Sequence, residues 1–522
     1  MKAPSLRSLR LAIVVALVVV MPNQLAYQLR LGGVALPVAP ADVLLALAFA
    51  SLLIHLVTRG RRGFRLPPLA AVAFAAAALL ALLPCRDRLA AAKEVAQVVE
   101  YFIVGFLVFV NIEETGDVKP LIWALVAATG IVVLWAAADY FRFGTVGPLD
   151  VKAGYVNRNA LGAFLAMSIP AIYGLALHLP RWPARLGLLV LVGLGLLTNL
   201  SGGALLATLV AMTAVSALRG PRTLVAHVCL LGLLSMVAPG LLPRPYHTDT
   251  LASSIALKVN DNFLLSDRAM VARARELFKP TREIVVDHSG ERKMPEPRPL
   301  DAERLLNLLN ARRPLRKDEL ALVVQIKGAI GKTVPEDQVA NYPLKTPQVA
   351  VRYQRWNAAL LALRNLWHTR QPETLRGNPL TGYGLKPYHE IVNPFMPDRL
   401  QYRTDEPEVF NVAAPEPMTH NVWLKTAAQS GLLGLLSLVW LVGHFLGRAT
   451  RLHGAAHSDL MLGLALAVVG GVSGFALAGI FTENIARGLA PPFVFLCSLV
   501  VLGERIVHGE PQKPRWELSR YD

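Results

Sequence analysis

The sequence predicts an all-α polytopic membrane protein, with about twelve transmembrane helices and one large, mostly helical insert between spans nine and ten. Three observations carry that prediction. Apolar residues are 54% of the 522 positions and charged residues only 17%, and the apolar ones fall in long uninterrupted blocks. Lys and Arg concentrate in alternate short loops, the pattern that sets orientation in a membrane. One hydrophilic stretch, 243–420, is far longer than any other connection.

The elements follow in order. A basic start and the apolar run after it have the form of a signal peptide, but no small-residue cleavage site follows, so it reads as a retained first span. A bilayer core needs about 20 apolar residues per helix. Such runs occur near 7–29, 40–57, 66–84, 94–111, 120–139, 157–179, 186–201, 202–217, 223–242, 423–446, 460–481 and 489–503. Asn199, Ser201, Gly202 and Gly203 interrupt the stretch 186–217, which is read as two short spans joined at the membrane surface. With the N-terminus inside, the inner segments hold 18 Lys and Arg, and the short outer segments half as many. Both termini are then cytoplasmic and the insert is outside. The division is 1–242 for spans one to nine, 243–420 for the insert, 421–503 for spans ten to twelve, and 504–522 for a cytoplasmic tail.

Taken alone, a formal net charge of +17 points to nucleic acid as a partner. Its distribution does not: most of the excess is an orientation signal, and no nucleic-acid partner is expected. The insert is nearly balanced, with 26 cations against 21 anions. It carries amphipathic helical patterns at 268–279, 301–313 and 348–370, and Pro347 marks the start of the last. Cys85, Cys229 and Cys497 are far apart, so neither a disulfide framework nor a zinc site is indicated.

Several residues could carry chemistry. Arg86, Arg88, Arg142, Lys152 and Arg158 stand at the outer mouths of spans, where cations are disfavoured and need an anionic partner. Asp139 and Asp150 are available carboxylates; the alternative is a lipid head group or a phosphorylated substrate, which Arg can hold through bidentate bonds. Asn157 and Asn159 flank Arg158 at the start of span six, where they can cap free N–H groups or help form an anion site. In the insert, Arg352, Trp356, Leu360 and Leu363 share one helix face. The Trp and Leu members read as core, and an Arg on that stripe calls for an anion. Arg268 is a competing insert arginine. Gly382 and Gly384 lie in a turn that lets backbone approach something closely.

The strongest local feature is His420-Asn421, then nine residues, Gly431, two residues and Gly434. At 100° per residue, eleven positions rotate about 20° beyond three full turns, so a continuous helix puts Gly431 almost beneath His420. The glycines would then admit a neighbouring helix below the histidine. An imidazole there could act as general base; the plain alternative is a capping or interfacial histidine. Motifs for metal-dependent glycosyl transfer, zinc proteolysis, ATP binding and serine hydrolysis are absent from the sequence.

Taken together, these residues resemble the O-antigen ligase family, a polytopic group that includes lipopolysaccharide O-antigen ligases, O-antigen polymerases and some protein O-oligosaccharyltransferases. His420, Asn421, Gly431 and Gly434 match the ligase signature. Arg352…Trp356 followed by Pro379-Leu-Thr-Gly382-Tyr-Gly384 is similar to a second family run, and Asn157-Arg158-Asn159 to a third. One departure stands out: the family often has Ser-Arg in a middle span, whereas here Ser201 is followed by Gly202. The resemblance implies a GT-C-like fold in the bacterial inner membrane and a cofactor-free, metal-independent transfer on the periplasmic face. Undecaprenyl-diphosphate-linked O-antigen would be the donor and a hydroxyl of lipid A–core oligosaccharide the acceptor. His420 would be the general base and Arg352 a second catalytic residue, with Arg86, Arg88, Arg142, Arg158, Lys152 and Arg268 on the donor diphosphate.

Three alternatives are weighed. A polymerase is associated with two sizeable outer loops, and this chain has one. A protein oligosaccharyltransferase more often extends beyond the last spans. A lipid-linked glycan transporter would show two similar halves, which an insert between spans nine and ten breaks.

Overall fold

The computed structural model describes residues 6–22, 27–31, 34–38, 40–59, 67–85, 104–105, 115–143, 151, 153–155, 158–199, 201–241, 348–368, 377–385, 388–395, 420–482 and 489–508. Among them the protein is helical apart from one short hairpin. In chain order the helices are α1 Leu6–Val20, α2 Pro40–Arg59, α3 Leu69–Leu80, α4 Thr115–Phe143, α5 Arg158–Ala176, α6 Trp182–Thr198, α7 Gly202–Arg219, α8 Pro221–Leu241, α9 Gln348–Asn365, α10 Tyr388–Val392, α11 Val422–Ala455, α12 Asp459–Ala478 and α13 Ala490–His508. Six helices among the described residues are long and apolar enough to cross a membrane, in α4, α5, α7, α11, α12 and α13. The chain is a multi-pass helical membrane protein.

The first span is shorter than its apolar run. Helix α1 ends at Val20, and Pro22 follows in a turn; proline has no N–H with which to continue a helix. Strands β1 Tyr27–Leu31 and β2 Val34–Val38 then pair antiparallel, with Leu31 opposite Val34, so residues 27–29 belong to a hairpin rather than to a span. The division within 186–217 falls where the polar residues put it: α6 ends at Thr198 and α7 begins at Gly202. The apolar run 94–111 lies almost wholly outside the described residues, as do the insert patterns at 268–279 and 301–313.

The chain divides into two compact units. The first comprises 1–250, 377–385 and 420–522, and the second 251–376 and 386–419. The nine-residue stretch 377–385 thus folds with the membrane body, although the sequence on both sides belongs to the second unit.

The first unit is built around α5 and α12. Every residue of α5 from Leu161 to Ala176 is buried, as expected of a helix that is apolar on all sides. The two helices run antiparallel along a seam of small residues. A side chain on Gly174 would strike the backbone of Leu466 and Ala467, one on Gly470 the backbone of Pro170, and one on Gly474 the carbonyl of Ala166. Pro170 cannot donate a hydrogen bond to that carbonyl, and the bare Gly474 lies against it, a close approach that small residues permit between membrane helices. Helices α7, α11 and α13 pack around this pair, and α3 packs on α11. Arg448 of α11 donates from Nε to Glu504 Oε2 of α13 at 2.6 Å, beside a second contact from Nη2.

In the second unit, α9 starts directly after Pro347, as the sequence predicts, and packs against α10 and a 3-10 turn, Asn393–Phe395. Its buried face is not the predicted one. Arg355, Ala358, Ala359, Ala362 and Leu366 are buried, whereas Leu360 is 55% exposed.

Candidate functional site

Two clusters of sequence-predicted residues lie in the first unit. The first surrounds the C-terminal end of α12. The seam matches 174 with 466, 170 with 470 and 166 with 474 and so runs toward the start of α5, where a side chain on Gly162 would strike Ser201 and Ala204. Gly203, in the first turn of α7, lies against Phe481. Val422, the first residue of α11, donates its N–H to Gly479 O at 2.7 Å, and Trp423 donates Nε1–H to Ala476 O at 3.1 Å. The starts of α5, α7 and α11 therefore gather at one end of the bundle, with Arg158, Asn159, His420 and Asn421 among them.

Asn421 caps α11: its Oδ1 accepts from Leu424 N–H at 3.0 Å. His420, half-buried and one residue before the cap, has φ +49°, a left-handed conformation that side chains other than glycine adopt rarely. The cap and the Val422–Gly479 bond fix the backbone on its C-terminal side. Across the cluster, Ser201 Oγ donates to Asn159 Oδ1 at 3.2 Å, Ser201 N–H to Asn199 Oδ1 at 3.3 Å, and Asn199 Nδ2 to Thr208 Oγ1 at 3.4 Å. The sequence marks Asn199 and Ser201 as a break between spans, and Ser201 as the point of departure from the family pattern, but not as members of a polar cluster. Their signal was present, since four polar or glycine residues in an apolar stretch need hydrogen-bond partners.

Before α5, Ala153 and Gly154 have φ +45° and +79°, and Ala153 N–H donates to Asp139 Oδ2 at 2.8 Å. Asp139 thus holds a loop amide, a role not read from the sequence. Tyr155 folds back against Phe164, with centroids 5.8 Å apart, and burial pushes its phenol well above its usual pKa.

The second cluster joins Gly382, Gly384, Gly431 and Gly434. The prediction of one continuous helix beneath His420 does not hold. Gly431 has φ +64° and ψ −159° and breaks α11, so the 100° rotation cannot be carried from His420 to Gly431. What approaches Gly431 is not a neighbouring helix but the turn that begins at Pro379. A side chain on Gly431 would strike the Leu380 carbonyl, and one on Gly382 would lie 2.5 Å from Ala428 O and 2.6 Å from Gly431 N. Gly382 has φ +70° and Gly384 φ +88°. Asn378 shapes the turn, its Oδ1 accepting from Leu380 and Thr381 N–H at 3.0 and 2.9 Å. Four backbone bonds tie turn to helix: Tyr383 N–H to Ala428 O at 2.9 Å, Gly384 N–H to Gln429 O at 3.0 Å, Leu432 N–H to Pro379 O at 2.9 Å, and Leu433 N–H to Leu380 O at 3.1 Å. The far side of the turn rests on the residues after α3, where Leu385 N–H donates to Cys85 Sγ at 3.1 Å. Gly434 faces Ser430 across the break.

The other candidates are placed less fully. Arg142 is in the last turn of α4 and Arg352 in the second turn of α9, with only the backbone described for each. Arg86, Arg88, Lys152, Asn157 and Arg268 lie outside the described residues. Among the described residues, no group of three His, Cys, Asp or Glu side chains could hold a metal ion.

The fold and these two clusters define a class, a multi-pass helical membrane protein with a polar end built from helix N-termini. Beyond that class, no protein-family model matches the chain, and no curated protein matches it.

Proposed function

We propose that this protein is a glycosyltransferase of the O-antigen ligase type, with about twelve spans in a GT-C-like arrangement in the bacterial inner membrane. It would carry O-antigen polysaccharide from undecaprenyl diphosphate to lipid A–core oligosaccharide on the periplasmic face. The observation that carries this reading is the meeting of two motifs about fifty residues apart: the Pro379–Gly384 turn seats Gly382 in the break at Gly431, eleven residues after His420. Both motifs are those on which the resemblance rests, and their contact gives the shared glycines a common physical reason.

The chemistry is a displacement at the donor's anomeric carbon. The acceptor hydroxyl gives its proton to the His420 imidazole as the new C–O bond forms. The bond to the diphosphate breaks, and the diphosphate leaves with the electron pair. Arg158, with Arg86, Arg88, Arg142, Lys152 and Arg268 as further candidates, stabilises the charge that grows on it, and Arg352 is the second catalytic residue that the resemblance implies. No metal is needed in this scheme.

The test is transfer in vitro with the purified chain, a lipid-linked polysaccharide and lipid A–core. The parent protein should produce a lipopolysaccharide ladder insensitive to chelator. His420→Ala should lower the rate by at least about 100-fold. A full ladder from a well-expressed His420→Ala protein would remove the general-base role.

A further inference from the structure

The break in α11 exchanges hydrogen bonds rather than losing them. In a continuous helix Leu432 N–H would donate to Ala428 O, and Leu433 N–H to Gln429 O. Here those two donors turn to Pro379 and Leu380, and the two freed carbonyls accept from Tyr383 and Gly384. The turn therefore supplies two acceptors and two donors where the helix lacks them. The segment 422–430 is consequently held at both ends, by Gly479 and Ala476 of α12 at its start and by the turn at its finish. Without the turn, Gly431 would be a free hinge or would close into ordinary helix, and either outcome re-aims everything before it.

We propose that the Pro379–Gly384 turn is a clasp that fixes the first segment of α11, and that Gly382 and Gly431 are positioning residues for His420. The proposal rests on the reading above that His420 takes the acceptor proton. Its physical basis is that both glycines have positive φ and no room for a side chain. Gly431 also occupies a region of backbone space that is essentially glycine's alone. Gly431→Ala would favour the continuous helix, restore its own two hydrogen bonds and expel the turn. Gly382→Ala would block the same contact from the opposite side.

The structure contains a reporter of the clasp. Cys85 Sγ accepts from Leu385 N–H and lies 2.7 Å from where a side chain on Gly384 would begin, so release of the turn uncovers the thiol. Cys497 is buried, and Cys229, which is exposed, can be replaced by Ser. The experiment uses full-length protein carrying Cys229→Ser and measures Cys85 labelling by a charged maleimide beside kcat and KM for transfer. Gly431→Ala and Gly382→Ala should each speed labelling and lower kcat by about tenfold or more, with donor KM little changed, since a displacement near 1 Å is enough for such a loss. Labelling and kcat both unchanged would overturn the clasp; faster labelling with unchanged kcat would overturn the positioning role. If the variants do not fold, amide hydrogen exchange on the parent decides: slow exchange at Tyr383, Gly384, Leu432 and Leu433 supports the clasp, and fast exchange there overturns it. A parent protein that transfers nothing would defeat the functional reading, while labelling and exchange would still test the clasp.

Discussion

His178 follows the last turn of α5, at the end of the bundle away from His420, and shows how a buried imidazole can couple stability to pH. Its Nδ1 is 3.7 Å from Asp459 Oδ1, and its ring meets the edge of His453 at a centroid distance of 6.4 Å. Burial lowers its pKa from the ordinary 6.5; Arg219 and His453 push the same way, and Asp459 offsets them only in part. The fold therefore favours the neutral ring, while the unfolded chain takes up a proton near pH 6.5. Below that value the unfolded state binds more protons, so stability falls as pH drops from 6.5 toward the lower folded value. Thermal unfolding in detergent micelles should show a falling Tm over that window, and His178→Gln should flatten the fall. Identical slopes in the two proteins would show that other groups carry the effect. Single residues were partly legible in the sequence. A cap was expected at His420 as the plain alternative; the cap is the next residue, Asn421. The left-handed backbone of His420 was not legible, because one of the bonds that fix its C-terminal side comes from Gly479, far along the chain.

At the scale of elements, helix existence was legible from apolar blocks, and the starts of α7 and α9 from glycine and proline. The break in α11 was not. Gly431 lies between alanines before it and leucines after it, residues that favour helix, and the partners that outweigh them come from a turn about fifty residues earlier. The inward face of α9 was misjudged for a related reason. Small residues permit close packing, and it is Ala358, Ala359 and Ala362 that go inside while Leu360 stays out. Helix α5 carries a prediction of its own. Gly474→Ala places a methyl group against the Ala166 carbonyl that Pro170 leaves without its helical donor. Overpacking of this kind costs about 1–3 kcal/mol, and a clear drop in Tm is expected. Gly443→Ala meets open space on α11 and should not lower Tm, since alanine is the better helix former; equal losses from the two substitutions would contradict the seam.

At the scale of the whole molecule, the sequence divides the membrane body into parts before and after the insert, but cannot say which helices meet. The answer is that the central seam joins one part to the other: α5 comes from before the insert and α12 from after it, and the two lie against each other along most of their lengths. The extent to which the body depends on this cross-connection could not be read from hydropathy, which reports only that each helix is apolar. A seam of this kind predicts that the core assembles without continuity of the backbone through the insert. Co-expressed as two separate chains, divided between Gly290 and Glu291, the protein should assemble as a stable pair that copurifies through a tag on either half. Gly474→Ala in the second half should weaken that capture.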